Sequence, residues 1–475
     1  MAAPIKTTHW RKFLFHFAGE HLDFKLPELK SIASIFDIHL DIDEAAYSKE
    51  NPFLVVRLSS EEDAKKIMTR TVLIRSACEL WAEGRNYTEL CHNIENIPKA
   101  FISPFLSTKF TYKVHVGSFN KKISNKEKVK KIESLPLDDI TRYGTVNLSA
   151  PDHTFVLQEY YGYGKTNAPD HPYNIYFGRW ITDGQRDKIQ DYHLQNRHFL
   201  GNTSMEAGLS LIMANLAKVD KNSLVFDPFV GTGSLLVACA HFGSYVMGTD
   251  IDYPLLHAKA KPSRHKQKKR AADESIRSNL KQYGFESQYI DALVADASKH
   301  HMWRHQSMFD VIITDPPYGI REATQKIGPA TENYVIEDDV REGHVAQRSQ
   351  YGLSDIFKDL LNFAARYLRL HGRIVFWFPV VRREYSEANI AKHPCLHLIS
   401  NCEQILNTKV ARRLITMEKM AECTDVENSA DYDIDHYGEA SFRERYFHKN
   451  KGHDTITDDV EHSQVNMERV TIKDT

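Results

Sequence analysis

The sequence predicts an α/β protein whose second half is a doubly wound, largely parallel sheet and whose first half is a smaller α+β assembly. Three observations carry this expectation. Five short apolar runs between residues 223 and 378 alternate with helical segments, as strands buried beneath crossover helices must. A glycine-containing turn stands where the first of these runs gives way to a helix. Residues 10–165 alternate strand-like and helical stretches with no internal repeat, which excludes solenoids and propellers.

In the first half, residues 10–17 (WRKFLFHF) and 53–58 (FLVVRL) read as strands around a helix near residues 26–36. A helix at 61–69, a strand at 72–78, a helix at 87–94 and the alternating FTYKVHVG (110–117) follow. A lysine-rich helix and HTFVLQEYYGYG complete this half near Lys165. Residues 167–199 are rich in Asn, Pro, Gly, Tyr and Arg without a clear period and read as a connecting segment. Thr203 and Glu206 have capping-box spacing, predicting a helix with Met205, Leu209, Ile212 and Leu216 on one face. The five runs come next, at 223–227, 244–250, 291–296, 309–315 and 373–378. CLHLISNCEQIL and RRLITMEKM, separated by little more than a turn, add an antiparallel hairpin at one edge.

The 475 residues suffice for two or three domains, and 42% apolar with 26% charged residues is a globular composition. Mean hydropathy is −0.46, and the most apolar stretch, 374–381, contains Pro379 and is far too short to span a bilayer. The N-terminus has a basic pair but no apolar core before a cleavage site, so a cytoplasmic location is expected. Six cysteines form no CxxC pair, which favours reduced thiols, and no His/Cys set has zinc spacing, so no intrinsic metal is expected. The net charge of −2 conceals an acidic stretch from residue 421 onward, with fourteen Asp or Glu against six Lys or Arg. The body is correspondingly basic. Two runs, KKISNKEKVKK (121–131) and KPSRHKQKKR (261–270), each carry six Lys or Arg and suit phosphates or solvent equally.

Chemistry concentrates at the predicted strand ends. In DPFVGTGS (227–234), Gly231 and Gly233 let the backbone approach a ligand, and the following helix presents free amides. A nicotinamide dinucleotide site would place glycine where Leu236 stands, which disfavours a dehydrogenase. Asp250, nineteen residues after Gly231, ends the next strand, where a carboxylate can accept both hydroxyls of a ribose. Asp252 shares that side of an extended chain; Asp250 is favoured. Asp296 ends the third strand and either accepts an adenine amino hydrogen or caps a helix. Asp315-Pro-Pro-Tyr-Gly319 follows the fourth. Its prolines stiffen the turn, so that Asp315 and the Pro316 carbonyl can accept the N–H groups of an exocyclic amine, with Tyr318 offering a ring for an extruded base.

DPFVGTG, TDID, VADA and DPPYG, in that order on successive strands, resemble the motifs of S-adenosylmethionine-dependent methyltransferases that modify exocyclic amines of nucleic-acid bases. With TYKVHVGSFNKK (111–122) before them, the chain resembles the THUMP-containing tRNA guanosine N2-methyltransferase family, in particular the eukaryotic catalytic subunits acting on guanine at position ten. The resemblance implies a Rossmann-like class I methyltransferase domain at 200–420. Before it would come a ferredoxin-like region at 1–58, a THUMP-like RNA-binding domain at 59–166 and a linker at 167–199, with an acidic flexible tail at 421–475 after it. It implies S-adenosyl-L-methionine as cofactor, tRNA as substrate and a small zinc-binding activator subunit as partner. Asp227, Gly231 and Gly233 would line the methionine part, Asp250 the ribose and Asp296 the adenine, with Phe229 also cofactor-binding and Thr203 approaching the cofactor. Lys121, Lys122, Lys128, Lys130 and Lys131 become RNA-binding candidates.

The expected reaction is direct methyl transfer to guanine N2, held by Asp315 and the Pro316 carbonyl, with residues 320–352 as a lid. An N6-adenine methyltransferase of RNA or DNA, and a non-catalytic RNA-binding scaffold with this fold, are the alternatives.

Overall fold

The computed structural model describes residues 10–106, 109–164, 168–264, 267–320, 322–328, 347–422, 430–432 and 442. Two compact units emerge: one comprises Phe36–Arg186 with the described residues up to Lys25, the other Leu26–Ile35 with the described residues from Asp187 onward.

The first unit is organised by one sheet. Its strands are β1 (Arg11–Phe17), β2 (Phe53–Leu58), β3 (Ile74–Gly84), β4 (Phe110–Phe119), β5 (Gly144–Val146), β6 (His153–Tyr160) and β7 (Asn174–Asp183). They lie in the order β2-β1-β3-β7-β6-β4-β5, antiparallel except for β4, which runs parallel to both β5 and β6. The segments expected to be ferredoxin-like and THUMP-like therefore share one sheet. β7 corrects the expectation of a connecting segment at 167–199, for it is the central strand. Ile175 and Phe177 enter the core formed with Leu157 and Leu90, while Tyr176 packs with Phe53 and Leu80. A strand covered on both faces loses the polar–apolar alternation by which strands are recognised. Gly178 permits the close approach of β7 to the Glu79 carbonyl of β3.

The second unit holds the predicted sheet: β8 (Leu224–Asp227), β9 (Tyr245–Asp250), β10 (Tyr289–Val294), β11 (Phe309–Thr314), β14 (Leu368–Val381), β15 (Leu396–Ile405) and β16 (Val410–Lys419). The order is β10-β9-β8-β11-β14-β16-β15, the first five strands parallel and the last two forming the expected antiparallel hairpin. A small ribbon, β12 (Gln325–Ile327) with β13 (Arg348–Gln350), lies inside the predicted lid; residues 329–346 are outside the described residues. The helix Leu353–Tyr367 buries Ile356, Phe357, Leu360, Leu361 and Ala364, a 3.6-residue stripe, against Phe376 and Phe378 of β14.

Three sequence expectations change. The helix expected to open at a Thr203–Glu206 capping box begins at Ala207, with Glu206 at the N-cap position and no side-chain capping hydrogen bond there. The Thr203 hydroxyl instead donates to Glu322, while Ser204 Oγ accepts from the Gly201 amide at 2.9 Å and lies 2.6 Å from Thr232 Oγ1. In the acidic stretch after residue 421, Ala430, Tyr432 and Phe442 are buried, the first two against the core holding Phe357 and Phe378; most of that stretch is outside the described residues. Cys78, Cys91, Cys239 and Cys402 are not in disulfides, but Cys395 is disulfide-bonded. No helix among the described residues is long and apolar enough to cross a membrane, and no His/Cys/Asp/Glu group among them is disposed to hold a metal.

Candidate active site

Because β8, β9, β10 and β11 run parallel, their C-terminal ends open on one crevice, the usual ligand position of such sheets. A cavity of about 630 Å³ fills it, lined by Thr203, Asp227, Phe229, Gly231, Asp250, Asp296, Asp315, Pro316 and Tyr318 among others. Nine of the sequence-predicted site residues thus meet at one place.

The turn after β8 is built by Asp227. Its Oδ1 accepts from the Phe229 amide at 3.0 Å and the Thr314 hydroxyl at 2.6 Å, joining the ends of β8 and β11. Burial pushes this carboxyl up to about 7, against those two hydrogen bonds, with Asp250 and Asp315 adding repulsion. Gly231 and Gly233 both have positive φ, +52° and +77°. At Gly231 a side chain would meet open space, leaving its backbone bare to a ligand; at Gly233 a Cβ would lie 2.7 Å from Ile276 Cγ2, so that glycine serves packing and caps the helix Ser234–His241.

Asp250 and Asp252 separate cleanly. Asp250 Oδ1 accepts from the Asp252 amide, and both atoms of its carboxylate face backbone donors, whereas Asp252 Oδ1 caps the short helix Tyr253–Leu256 through the Leu255 amide at 3.3 Å. Burial raises the Asp250 carboxyl above its ordinary value while those amides oppose the rise. Asp296 accepts the Ser298 amide at 2.9 Å and the Ile327 amide at 2.7 Å, so it also ties β12 to the end of β10. Thr203 donates to Glu322 at 3.3 Å.

Asp315 has a partner that sequence reasoning missed. Arg412 of β16 reaches Asp315 Oδ2 at 3.2 Å and the Tyr318 hydroxyl at 3.3 Å. Asp315 Oδ1 is buried and has no hydrogen-bond partner among the described residues. Burial raises the Asp315 carboxyl, and Arg412, then Tyr318, pull it back. Tyr318 also meets Phe442 edge to face at 6.2 Å. Nothing local marked Arg412, which stands beside Arg413 in a strand whose alternation was its evident feature; Glu322 and Phe442 were missed likewise.

The lysine candidates divide. Lys131 pairs at 2.5 Å with the fully buried Glu159, and Lys121 donates to the Pro169 and Asp170 carbonyls, each at 3.1 Å. Lys122 and Lys130 are exposed and Lys128 half-buried. In the second basic run Arg270 is turned inward, its ion pair with Glu274 at 2.8 Å between side chains 2% and 4% exposed; Arg264 donates to the Arg197 carbonyl.

Acidic residues outnumber basic ones around the cavity, an environment suited to a cation. A bare glycine turn and a carboxylate at the second strand end suit a nucleoside with a charged tail. These residues therefore fit S-adenosylmethionine, whose sulfonium and ammonium are both positive.

The Tmrp11 THUMP N-terminal domain matches residues 11–186, and the RMKL-like methyltransferase domain matches residues 195–330. A Bos taurus protein named tRNA (guanine(10)-N(2))-methyltransferase TRMT11 is 49% identical over 440 residues, covering 92% of this chain and 95% of its own. The Dictyostelium discoideum protein of that name is 36% identical over 436 residues, covering 87% and 83%. Among solved structures, TrmN from Thermus thermophilus aligns with a TM-score of 0.40 at 15% identity, covering 86% of this chain and 100% of its own.

Proposed function

The chain belongs to the tRNA (guanine(10)-N(2))-methyltransferase TRMT11 family, and from that premise we propose that it transfers a methyl group from S-adenosyl-L-methionine to the exocyclic N2 of guanosine ten of tRNA. The observation that carries this reading is the convergence of Asp227, Gly231, Asp250 and Asp315 on one cavity in a chain so closely related along its length.

Bound in the crevice, S-adenosylmethionine supplies an electrophilic methyl. Asp227 and the Phe229–Gly233 turn hold its amino-acid part, Asp250 the ribose hydroxyls and Asp296 the adenine amino group, using lone pairs left by its two backbone bonds. Asp315 and the Pro316 carbonyl accept the N2 hydrogens of the extruded guanine, which localises electron density on nitrogen as it attacks. Tyr318 provides a wall for the base. The first unit binds the tRNA, with Lys122, Lys128 and Lys130 near phosphates and Lys121 and Lys131 ordering that surface.

A small zinc-binding activator subunit completes the enzyme. Its docking place is the β10 edge of the second sheet, where Ile290, Leu293 and Val294 are 46%, 40% and 43% exposed and where, among the described residues, the outer edge has no neighbouring strand and invites one. The cytoplasm is the proposed compartment.

The test is transfer of labelled methyl to unmodified tRNA, with and without the zinc-binding subunit, followed by nucleoside analysis. N2-methylguanosine that depends on the subunit, and is lost in Asp315→Ala with cofactor binding intact, supports the scheme. Full activity of Asp315→Ala sinks it, and N6-methyladenosine would replace guanine by adenine.

A further inference from the structure

We propose that Arg412 is a positioning residue for methyl transfer: stacked on Trp377, it occupies Asp315 Oδ2 and the Tyr318 hydroxyl together, leaving Asp315 Oδ1 as the acceptor for the substrate amine. This rests on the reaction proposed above and adds a residue outside every motif of the sequence.

The anchoring is extensive. The guanidinium carbon lies 3.9 Å from the centre of the Trp377 ring. Nε donates to Gln404 Oε1 at 2.7 Å, Nη2 approaches Met205 Sδ at 3.7 Å, and Nη1 serves both Asp315 and Tyr318. Each guanidinium nitrogen has a protein partner, so the group is held in plane and in place. Its counterpart is Asp315 Oδ1, buried and without a hydrogen-bond partner among the described residues, in a residue that lines the cavity. A buried carboxylate oxygen without a donor is costly unless a ligand supplies one.

The chemistry needs that oxygen. As the N2–carbon bond forms, the sulfur–carbon bond breaks with its electron pair staying on sulfur, and N2 bears one proton more than the product retains. Oδ1 takes that proton and later returns it to water. Asp315 must therefore begin as an anion despite its enclosure. Arg412 from β16 and Tyr318 from the same turn favour the anion, while Asp227 at the end of β8 opposes it.

The full chain with its zinc-binding partner is the test system, compared as wild type, Arg412→Met, Arg412→Lys, Asp315→Asn and the Asp315→Asn/Arg412→Met double variant. Arg412→Met should lower kcat about 100-fold at neutral pH, move the acid limb of the kcat profile to higher pH, and leave cofactor affinity within about two-fold. Arg412→Lys should restore part of the loss. In the Asp315→Asn background Arg412→Met should cost nothing further. Without cofactor or tRNA, the melting temperature of Arg412→Met should fall, relative to wild type, as pH rises from about 5 to about 8, because Asp315 then ionises without its counter-ion. The double variant should lack that fall. If Arg412→Met does not fold, the neutral Arg412→Gln carries the same comparisons. Additive losses in the double variant, or an unshifted pH profile, overturn the proposal; a wild type that methylates no guanine overturns the underlying reading instead.

Discussion

The amide of Gly231 donates to Asp250 Oδ2 at 2.9 Å, so the turn after β8 is tied to the end of β9 across nineteen residues. One carboxylate thereby shapes the glycine turn and stands at the strand end where a ribose is expected. Asp252, two residues on, is directed to its own helix.

This division predicts unequal effects. Asp250→Asn should weaken cofactor binding by about ten-fold or more, since it replaces a charged acceptor with a neutral amide. Asp252→Ala should cost about 1 kcal/mol of stability through the lost cap and change cofactor affinity little. Calorimetric titration of both variants with S-adenosylmethionine decides; equal losses of affinity would return the ribose to either residue.

Asp227 should make stability depend on pH. Its folded carboxyl titrates at about 7 instead of the ordinary 3.8, so the folded chain keeps a proton that the unfolded chain has released. Stability from this group is consequently lost as pH rises from about 4 to about 7 and is level above that. Asp227→Asn retains an acceptor for Thr314 and Phe229 and should remove that component. Thermal melts of the two proteins across this range should converge at low pH and diverge by pH 7; parallel curves would contradict the assignment. A cationic ligand beside Asp227 favours the ionised form, so cofactor affinity should rise through the same interval in the wild type only.

The lysine helix predicts a separation of stability from RNA binding. Glu159 is fully buried and receives Lys131 at 2.5 Å, the Tyr87 hydroxyl at 2.8 Å and the Tyr161 hydroxyl at 3.2 Å. Lys131→Met should destabilise the first unit by roughly 3 kcal/mol by stranding that carboxylate. Lys122→Glu and Lys130→Glu should leave melting within about 0.5 kcal/mol yet weaken tRNA binding and reduce its salt dependence. Melting curves and filter binding at two salt concentrations test this, and unchanged tRNA affinity in the glutamate variants would move the RNA surface elsewhere.

Much of the site was legible because its parts are local. Each of Asp227, Asp250, Asp296 and Asp315 stands at or just beyond the end of an apolar run, and a parallel sheet brings such ends together whatever the connections contain. The terminal hairpin was legible from spacing alone. The hidden parts depend on company. β7 was obscured because both its faces are buried in packed clusters, and Thr203 with Glu206 looked like a capping box although the Thr203 hydroxyl meets Glu322, far along the chain. Arg270 sat in a basic run but is buried against Glu274.

The amino-acid sequence by itself determined the strand and helix periods, the glycine turn and the order of the strand-end carboxylates, all of which depend on residues close along the chain. Only the tertiary structure decided which of Asp250 and Asp252 caps a helix, which lysine is structural, and that Arg412 meets Asp315 across 97 residues. Those outcomes follow from strand order and register, which place distant side chains within hydrogen-bond range and have no signature in any short stretch of chain.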